Sequence, residues 1–154
     1  MLYPVQFTLN GVKVSAQTEP RTTLLLFLRE QFNLKSLKRG CETGDCGTCT
    51  VLLNNLPIRA CTTLALSVNN TRVTTAEGLQ DDLASRLRES IVKNGAIQCG
   101  FCAPGMLITA YALLKSNPAP TEMQIQEALS GQLCRCTGYL QIIEAIDACS
   151  RQSV

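Results

Sequence analysis

The sequence predicts an α+β fold in two parts, a small mixed unit of strands and one helix followed by a set of short helices. Three observations support this prediction: apolar residues alternate with polar ones in the first half, apolar residues recur at helical spacing in the second half, and the composition changes between them. We place the first unit at residues 1–76, a linker at residues 77–83 and the helical unit at residues 84–154. A chain of 154 residues has room for one domain or two small ones.

The first unit opens with a predicted β-hairpin. Apolar residues alternate with polar ones over residues 5–9 and again over residues 12–16, and the Asn-Gly pair between them is a strong signal for a two-residue turn. Thr22 or Thr23 then caps a short helix whose apolar side chains fall on one face, and we expect that face to pack on the sheet. Further strands are predicted at residues 50–53, 58–60 and 71–75.

The second unit is predicted to contain four short helices. The first covers the apolar positions of residues 83–91 and ends at Gly95, and Pro104 begins the second. Thr121 and Gln124, three residues apart, form a capping box for the third helix, which ends at Gly131. Apolar residues from Tyr139 onward indicate the fourth.

The composition excludes several classes of function. Hydrophobic residues make up 45% of the chain and charged residues 17%, which is typical of a folded protein rather than a disordered one. Fourteen Lys and Arg against twelve Asp and Glu give a net charge of +2, far from the basic balance of a nucleic-acid-binding protein. No apolar run approaches the roughly 18 residues that span a bilayer. We therefore expect a chain with no nucleic-acid partner and no membrane span.

The chain contains nine cysteines and no histidine. Its first twenty residues contain a single Lys and alternate apolar with polar positions, unlike a secretory or twin-arginine signal. We therefore expect a cytoplasmic protein whose thiols stay reduced. In that compartment many cysteines indicate metal ligation, and the lack of histidine excludes mixed Cys and His zinc sites.

Four cysteines of the first unit have the spacing of a plant-type 2Fe-2S site. Three of them follow C-x4-C-x2-C, and the fourth comes after eleven intervening residues. Gly40, Gly44 and Gly47 leave room for backbone N–H groups to approach the cluster sulfur atoms. A four-cysteine zinc site is the alternative, although zinc sites favour two C-x2-C pairs. These four residues, called the first quartet below, are Cys41, Cys46, Cys49 and Cys61.

Four cysteines of the second unit form a second candidate set. A C-x2-C pair and a C-x-C pair are separated by 31 residues, and this spacing alone is also compatible with zinc. Each pair precedes a predicted helix, so two helix N-termini would face one site and stabilise the negative charge gained on reduction. We interpret the set as an electron-transfer site. These four residues, called the second quartet below, are Cys99, Cys102, Cys134 and Cys136.

Three stretches of the sequence carry a specific resemblance to a known family. They are GCETGDCGTCTV at residues 40–51, QCGFCAPGM at residues 98–106 and GQLCRCTGY at residues 131–139. Together they resemble the small iron–sulfur subunit of the molybdenum hydroxylases, the superfamily of xanthine dehydrogenase, aldehyde oxidoreductase and carbon monoxide dehydrogenase. The resemblance implies an N-terminal β-grasp domain like plant ferredoxin and a C-terminal four-helix bundle, each with one 2Fe-2S cluster.

The resemblance also implies partners and a direction of electron flow. A large subunit carries the molybdopterin cofactor and usually a medium subunit carries FAD, in a heterotrimer or a dimer of heterotrimers. Gln98 and Cys136 are expected to contact the pterin, and Gly44 and Asp45 to face the flavin. Electrons would pass one at a time from the molybdopterin centre through the second and then the first cluster to FAD or another acceptor, with no catalytic residue on this chain.

Two other functions are open at the level of sequence. The chain could be a free-standing ferredoxin or iron–sulfur redox sensor, or a zinc-stabilised interaction module without a redox role. Iron content separates a cluster protein from a zinc module. Copurification with a molybdenum-containing chain separates a dedicated subunit from a free ferredoxin.

Overall fold

The computed structural model describes residues 1–152 and has the predicted α+β fold. Within that range it contains one mixed five-stranded sheet and five α-helices. The strands are β1 (Tyr3–Leu9), β2 (Val12–Thr18), β3 (Thr50–Leu53), β4 (Leu56–Arg59) and β5 (Arg72–Thr74). The helices are α1 (Leu24–Gln31), α2 (Asp82–Lys93), α3 (Ala103–Ser116), α4 (Glu122–Leu129) and α5 (Leu140–Arg151).

The sheet has the strand order β2-β1-β5-β3-β4. β1 and β2 form the predicted antiparallel hairpin, with Tyr3 opposite Thr18 and Leu9 opposite Val12. β5 pairs parallel with β1 and antiparallel with β3, and β4 lies antiparallel to β3 at the far edge. The chain that enters β3 therefore runs beside the chain that leaves β4.

α1 packs its apolar face against the sheet, as predicted. The Thr23 hydroxyl caps the helix by accepting the Leu26 N–H at 3.4 Å, which identifies Thr23 rather than Thr22 as the cap. Leu24 and Leu28 are fully buried in one core with residues of the sheet. The aromatic rings of this core, with centroids 5.4 to 6.0 Å apart, are Phe7, Phe27 and Phe32.

Three predicted boundaries differ by about two residues from those observed. β4 begins at Leu56 instead of residue 58, because Asn54 and Asn55 both take positive φ angles and complete the turn directly before it. α2 and α4 end two residues before Gly95 and Gly131, the predicted last residues. Gly95 has φ +63°, which is the left-handed conformation that typically follows a helix end.

The predicted linker at residues 77–83 is a packed connection. A short 3-10 turn covers Ala76–Gly78, and α2 already begins at Asp82, within the predicted linker. This early start arises because the Asp81 side chain caps the helix by accepting a backbone N–H of its first turn at 3.0 Å. Glu77 accepts hydrogen bonds from the backbone and the hydroxyl of Ser36, at 3.0 and 2.5 Å, which hold the connection against the first half.

The helices α2 to α5 share one apolar core, which reaches the sheet. Leu52 of β3 belongs to this core, so the two halves of the chain pack directly on each other. Cys149 is fully buried in it, as expected of an apolar residue in the last helix. No helix in the described part of the chain is long and apolar enough to cross a membrane. The largest fully buried side chains of the core are Leu87, Ile108, Ile125 and Ile146.

Candidate metal centres

The first quartet lies where the loop before β3 meets the end of β4. Cys41, Cys46 and Cys49 belong to the loop, and Cys61 follows β4. The antiparallel pairing of β3 and β4 places the residues just before β3 next to those just after β4. Cys49 and Cys61 are only 2% and 6% exposed, whereas Cys41 and Cys46 are half-buried.

The backbone of the first quartet's loop approaches the sulfur atoms closely because glycines occupy the positions where a side chain would be in the way. A Cβ atom at Gly40 would lie 2.7 Å from Cys46 Sγ, nearer than real contacts allow. Gly44 and Gly47 have φ angles of 92° and 76°, which favour glycine. The Cys46 N–H donates to Cys41 Sγ at 3.4 Å. The loop thus directs backbone donors at a cysteine sulfur, as a thiolate-bound cluster requires.

The loop and the burial of the first quartet shift two of its pKa values in opposite directions. Hydrogen bonds from the Thr43 side chain and from the backbone N–H groups of Cys46 and Thr43 lower the pKa of Cys41 to about 6. Burial, together with a hydrogen bond to Cys49, raises the pKa of Cys61 to about 12. Backbone donors thus favour the thiolate at the half-buried end of the quartet.

The second quartet joins the loops that precede α3 and α5. Cys102 is the N-cap residue of α3, and Pro104 lies in the first turn of that helix. Cys134 and Cys136 precede α5. The Sγ atoms of Cys136 and Cys99 are 3.6 Å apart, and both residues are exposed. The fold therefore brings the N-terminal ends of two helices to one place, as the sequence predicted.

A small hollow lies among the cysteines of the second quartet, lined also by Gln98 and Met106. Burial and a hydrogen bond with Cys134 raise the pKa of Cys102 to about 12. Burial also raises the pKa of Cys134, but hydrogen bonds from the Thr137 hydroxyl and from backbone N–H groups outweigh it and hold that pKa below its usual value. The Thr137 Oγ1 to Cys134 Sγ distance is 3.1 Å.

The second quartet brings its four cysteines to one hollow, with the Sγ atoms of Cys99 and Cys136 3.6 Å apart. Among residues 1–152, no three or more side chains of His, Cys, Asp and Glu are grouped as a single metal ion requires. A 2Fe-2S cluster has two irons and four thiolate ligands, so four thiols spread around a hollow match a cluster.

The residues expected to face partner cofactors lie in loops that contain the cysteines. Gln98 is exposed next to Cys99 and lines the hollow. Asp45 is exposed in the loop of the first quartet, where its carboxylate accepts a hydrogen bond from the Thr43 hydroxyl at 2.5 Å. Gly44, next to it, is half-buried. Gln98 and Asp45 are at the surface, where a partner subunit can contact them.

Comparison with known proteins identifies both halves of the chain. The 2Fe-2S iron-sulfur cluster binding domain family matches residues 7–70, and the 2Fe-2S binding domain family matches residues 75–147. The nicotinate dehydrogenase small FeS subunit of Eubacterium barkeri is 46% identical over 143 residues, covering 92% of this chain and 91% of the relative. The chain belongs to the small iron–sulfur subunits of the molybdenum hydroxylases.

Two further proteins agree with membership in this family. The nicotine 6-hydroxylase small subunit of Paenarthrobacter nicotinovorans is 42% identical, with 92% of this chain and 86% of the relative covered. The crystal structure of quinoline 2-oxidoreductase from Pseudomonas putida 86 matches with a TM-score of 0.93 and 43% identity, over 99% of this chain and 95% of that chain. This small iron–sulfur subunit is thus an electron-transfer component of an oxidoreductase with two 2Fe-2S-binding domains, which confirms the resemblance.

Tyr139 differs from its predicted role in this small iron–sulfur subunit. The sequence places it in the last helix, but it is the N-cap of α5 with φ +71°, a conformation that is uncommon outside glycine. Its hydroxyl oxygen accepts the Cys134 N–H at 2.9 Å. The tyrosine side chain therefore holds the backbone N–H of Cys134, a proposed ligand.

Sequence reasoning missed two polar residues where the loop of the first quartet meets the loop before α5. Arg59 is half-buried at the end of β4, and Gln132 is only 1% exposed, two residues before Cys134. An amide side chain is mostly found at the surface, so a glutamine held in the interior is a polar group with specific partners. The one available signal was the position of Gln132 within the family stretch GQLCRCTGY.

Proposed function

We propose that the first quartet and the second quartet each bind one 2Fe-2S cluster, and that the chain thereby passes electrons between the cofactors of two partner subunits. The convergence of four cysteines at one place carries this proposal: all four of the second quartet line one hollow, with two Sγ atoms 3.6 Å apart, and a 2Fe-2S cluster takes four thiolates. A bound 2Fe-2S cluster accepts and releases one electron at a time.

The chain's own residues hold the charge of each site. In the first quartet, backbone N–H groups of the glycine-bearing loop donate to Cys41 Sγ. In the second quartet, the Thr137 hydroxyl donates to Cys134 Sγ, and the N-terminus of α3 follows Cys102 directly. Hydrogen bonds to thiolate sulfur and helix N-termini both stabilise negative charge. Both sites therefore favour the reduced state of a bound cluster.

We propose that electrons enter at the second quartet and leave at the first. The exposure of Cys99 and Cys136 supports entry there, since a large subunit can bring its molybdopterin cofactor against them and against Gln98. Asp45 and Gly44, in the loop of the first quartet, would then face the FAD of a medium subunit. This order leaves bond chemistry to the large subunit and assigns this chain only transfer.

We further propose the assembly and its setting. The chain forms a cytoplasmic heterotrimer, or a dimer of heterotrimers, with the large and medium subunits, and the designation of its relatives as small subunits supports such partners. The first half is a β-grasp domain predicted at residues 1–76, and the second half, predicted at residues 84–154, is a four-helix bundle whose first helix already begins at Asp82. The mixed sheet with α1 packed on it and the shared core of four helices support these assignments.

Rapid-mixing kinetics of the assembled complex test the direction of flow. We expect Gln98→Ala to weaken cofactor retention or slow reduction of the second quartet's cluster by substrate, because it removes the proposed hydrogen bond to the pterin, worth about 0.5 to 1.5 kcal/mol. Asp45→Lys is expected to spare that step and slow transfer to FAD, since it reverses charge at the far contact. Gln17→Ala and Glu89→Lys, at exposed positions in β2 and α2, are matched controls. The reverse assignment of the two defects would contradict the proposed order.

A further inference from the structure

A backbone hydrogen bond joins the loop of the first quartet, residues 40–49, to the loop before α5, residues 130–139; these are called the two ligand loops below. The Leu133 N–H donates to the Cys46 carbonyl oxygen at 2.9 Å. Cys46 belongs to the first quartet, and Leu133 directly precedes Cys134 of the second. This hydrogen bond lies within one residue of a proposed ligand in each quartet, so it fixes the distance between the two quartets. A residue that holds the hydrogen bond in place therefore also controls that distance.

Arg59 lies across the same junction and binds both loops. Its Nε donates to the Gly44 carbonyl oxygen at 3.3 Å, in the loop of the first quartet. Its Nη2 donates to the Gly131 carbonyl oxygen at 2.7 Å, two residues before Leu133. Its Nη1 donates to the Thr50 hydroxyl at 2.7 Å, which anchors the guanidinium to the start of β3. One planar, charged fork thus holds three separate pieces of chain.

Gln132 fills the space behind this fork. Its amide nitrogen donates to the Gly47 carbonyl oxygen at 3.0 Å, since the opposite orientation would set two acceptor oxygens against each other. Its amide oxygen accepts from the Thr109 hydroxyl at 2.6 Å and from Arg59 Nη1 at 3.3 Å. Gly47 and Gly105 make room for it, because a Cβ atom at either position would overlap this amide or adjacent backbone.

We propose that Arg59 is a positioning residue that clamps the two ligand loops together and sets the coupling between the two clusters. The inference rests on the ligand assignment proposed above. Charge-assisted hydrogen bonds are the strong ones, and the rigid guanidinium fork reaches several acceptors in fixed geometry. A buried polar network whose members are all satisfied also rigidifies its surroundings. The clamp therefore acts through geometry, not through the charge of Arg59 alone.

Three variants separate geometry from charge. Arg59→Gln removes the charge and the fork. Arg59→Lys keeps the charge, but its single ammonium cannot reach all three acceptors in the same geometry. Gly131→Ala leaves Arg59 intact, yet its new methyl group would overlap Arg59 Nη2, the movable end of a flexible side chain. Arg72→Gln, which removes an exposed arginine from β5 of the same sheet, is the matched control.

Two measurements on the holo chain report on the clamp. The first is the magnetic interaction between the two reduced clusters in electron paramagnetic resonance, with iron content measured in parallel. The second is amide hydrogen exchange of the segment containing Leu133. We expect all three variants to retain iron and both cluster signals, to weaken the magnetic interaction, and to lower protection of the Leu133 segment roughly ten- to a hundredfold, as loss of a charged hydrogen bond implies.

The outcomes distinguish the clamp from the ligand assignment. If the wild-type chain lacked either cluster signal, that result would contradict the proposed ligands and not the clamp. Wild-type interaction and protection in Arg59→Lys would overturn the clamp, because charge alone would then suffice. If Arg59→Gln released iron, Gly131→Ala would decide through the same two readouts, and unchanged values there would also overturn the proposal.

Discussion

The first quartet is the more deeply buried of the two, with two cysteines buried and two half-buried, whereas half of the second quartet lies at the surface. Cys49 and Cys61 are almost completely buried beside the sheet, while Cys99 and Cys136 are exposed next to a hollow. The difference arises from the supporting elements. Strand pairing closes one side of the first site, and two loops that end at helix N-termini leave the second open. The second site is therefore the one that a partner can reach.

Both sites combine backbone and side-chain contacts to sulfur. In the first quartet, the backbone N–H groups of Thr43 and Cys46 donate to Cys41 Sγ, and the Thr48 hydroxyl lies 3.2 Å from Cys46 Sγ. In the second quartet, the Thr137 hydroxyl donates to Cys134 Sγ at 3.1 Å, together with backbone N–H groups. Backbone donors cannot be removed by exchanging a side chain, so the Thr137 hydroxyl is the contact through which a substitution can change the reduction potential of the second site.

Iron chelation is expected to separate the two sites most strongly. In the isolated holo chain under reducing conditions, the exposed second quartet should release its iron before the more deeply buried first quartet. Complete removal should then abolish protease resistance and much of the helical circular dichroism, because metal binding supplies folding energy to small units. Cys149→Ser, which alters the ninth cysteine, is the control and should release iron at the wild-type rate. Simultaneous loss of iron from both sites would contradict the proposed difference in exposure between them. An apo chain with native protease resistance would show that metal binding does not supply folding energy.

A pair of glycine variants tests the close packing between the sites. Gly95→Ala adds a methyl group in open space at φ +63° and is expected to cost about 1 to 2 kcal/mol of unfolding free energy. Gly47→Ala, at φ +76°, also overlaps the Gln132 amide and should cost about 1 to 3 kcal/mol more. Urea titration of the holo chains measures both values. Equal losses would show that the junction of the loops is loosely packed.

Thr137→Val is the smallest expected change and concerns the second site alone. Without the hydroxyl donor, the more negative reduced state loses about 0.5 to 1.5 kcal/mol, so the reduction potential of that site should fall by about 20 to 60 mV. Potentiometric titration followed by electron paramagnetic resonance measures the shift. Thr74→Val, in β5, is the control. A shift confined to the first site would mean that the two signals have been exchanged in the assignment.

The sequence predicted those features that depend on local pattern. Alternation gave the hairpin of β1 and β2, the capping box at Thr121 gave the start of α4, and cysteine spacing gave both quartets. These signals are legible because a turn, a cap or a cluster loop restricts residue type over a few neighbouring positions. The predicted ends of helices and strands were less accurate, because the conformation of the following turn decides which residue ends the element.

The junction between the halves could not be predicted in the same way. Arg59 and Gln132 are 73 residues apart and meet only because the helices pack on β3, as the burial of Leu52 in the helical core shows. No spacing rule connects residues brought together by tertiary packing. Tyr139 also could not be predicted from local pattern. Helical periodicity reveals neither its left-handed backbone nor the hydrogen bond that its hydroxyl accepts from the Cys134 N–H.

Spin quantitation of the dithionite-reduced chain tests the central claim most directly. Two clusters held by two separate quartets predict two distinct S = 1/2 signals, two spins per chain and roughly four irons. Cys61→Ser should remove or alter only the signal of the more deeply buried site, and Cys136→Ser only that of the exposed site, with Cys149→Ser unchanged. A single signal that integrates to one spin per fully reduced chain would contradict the account.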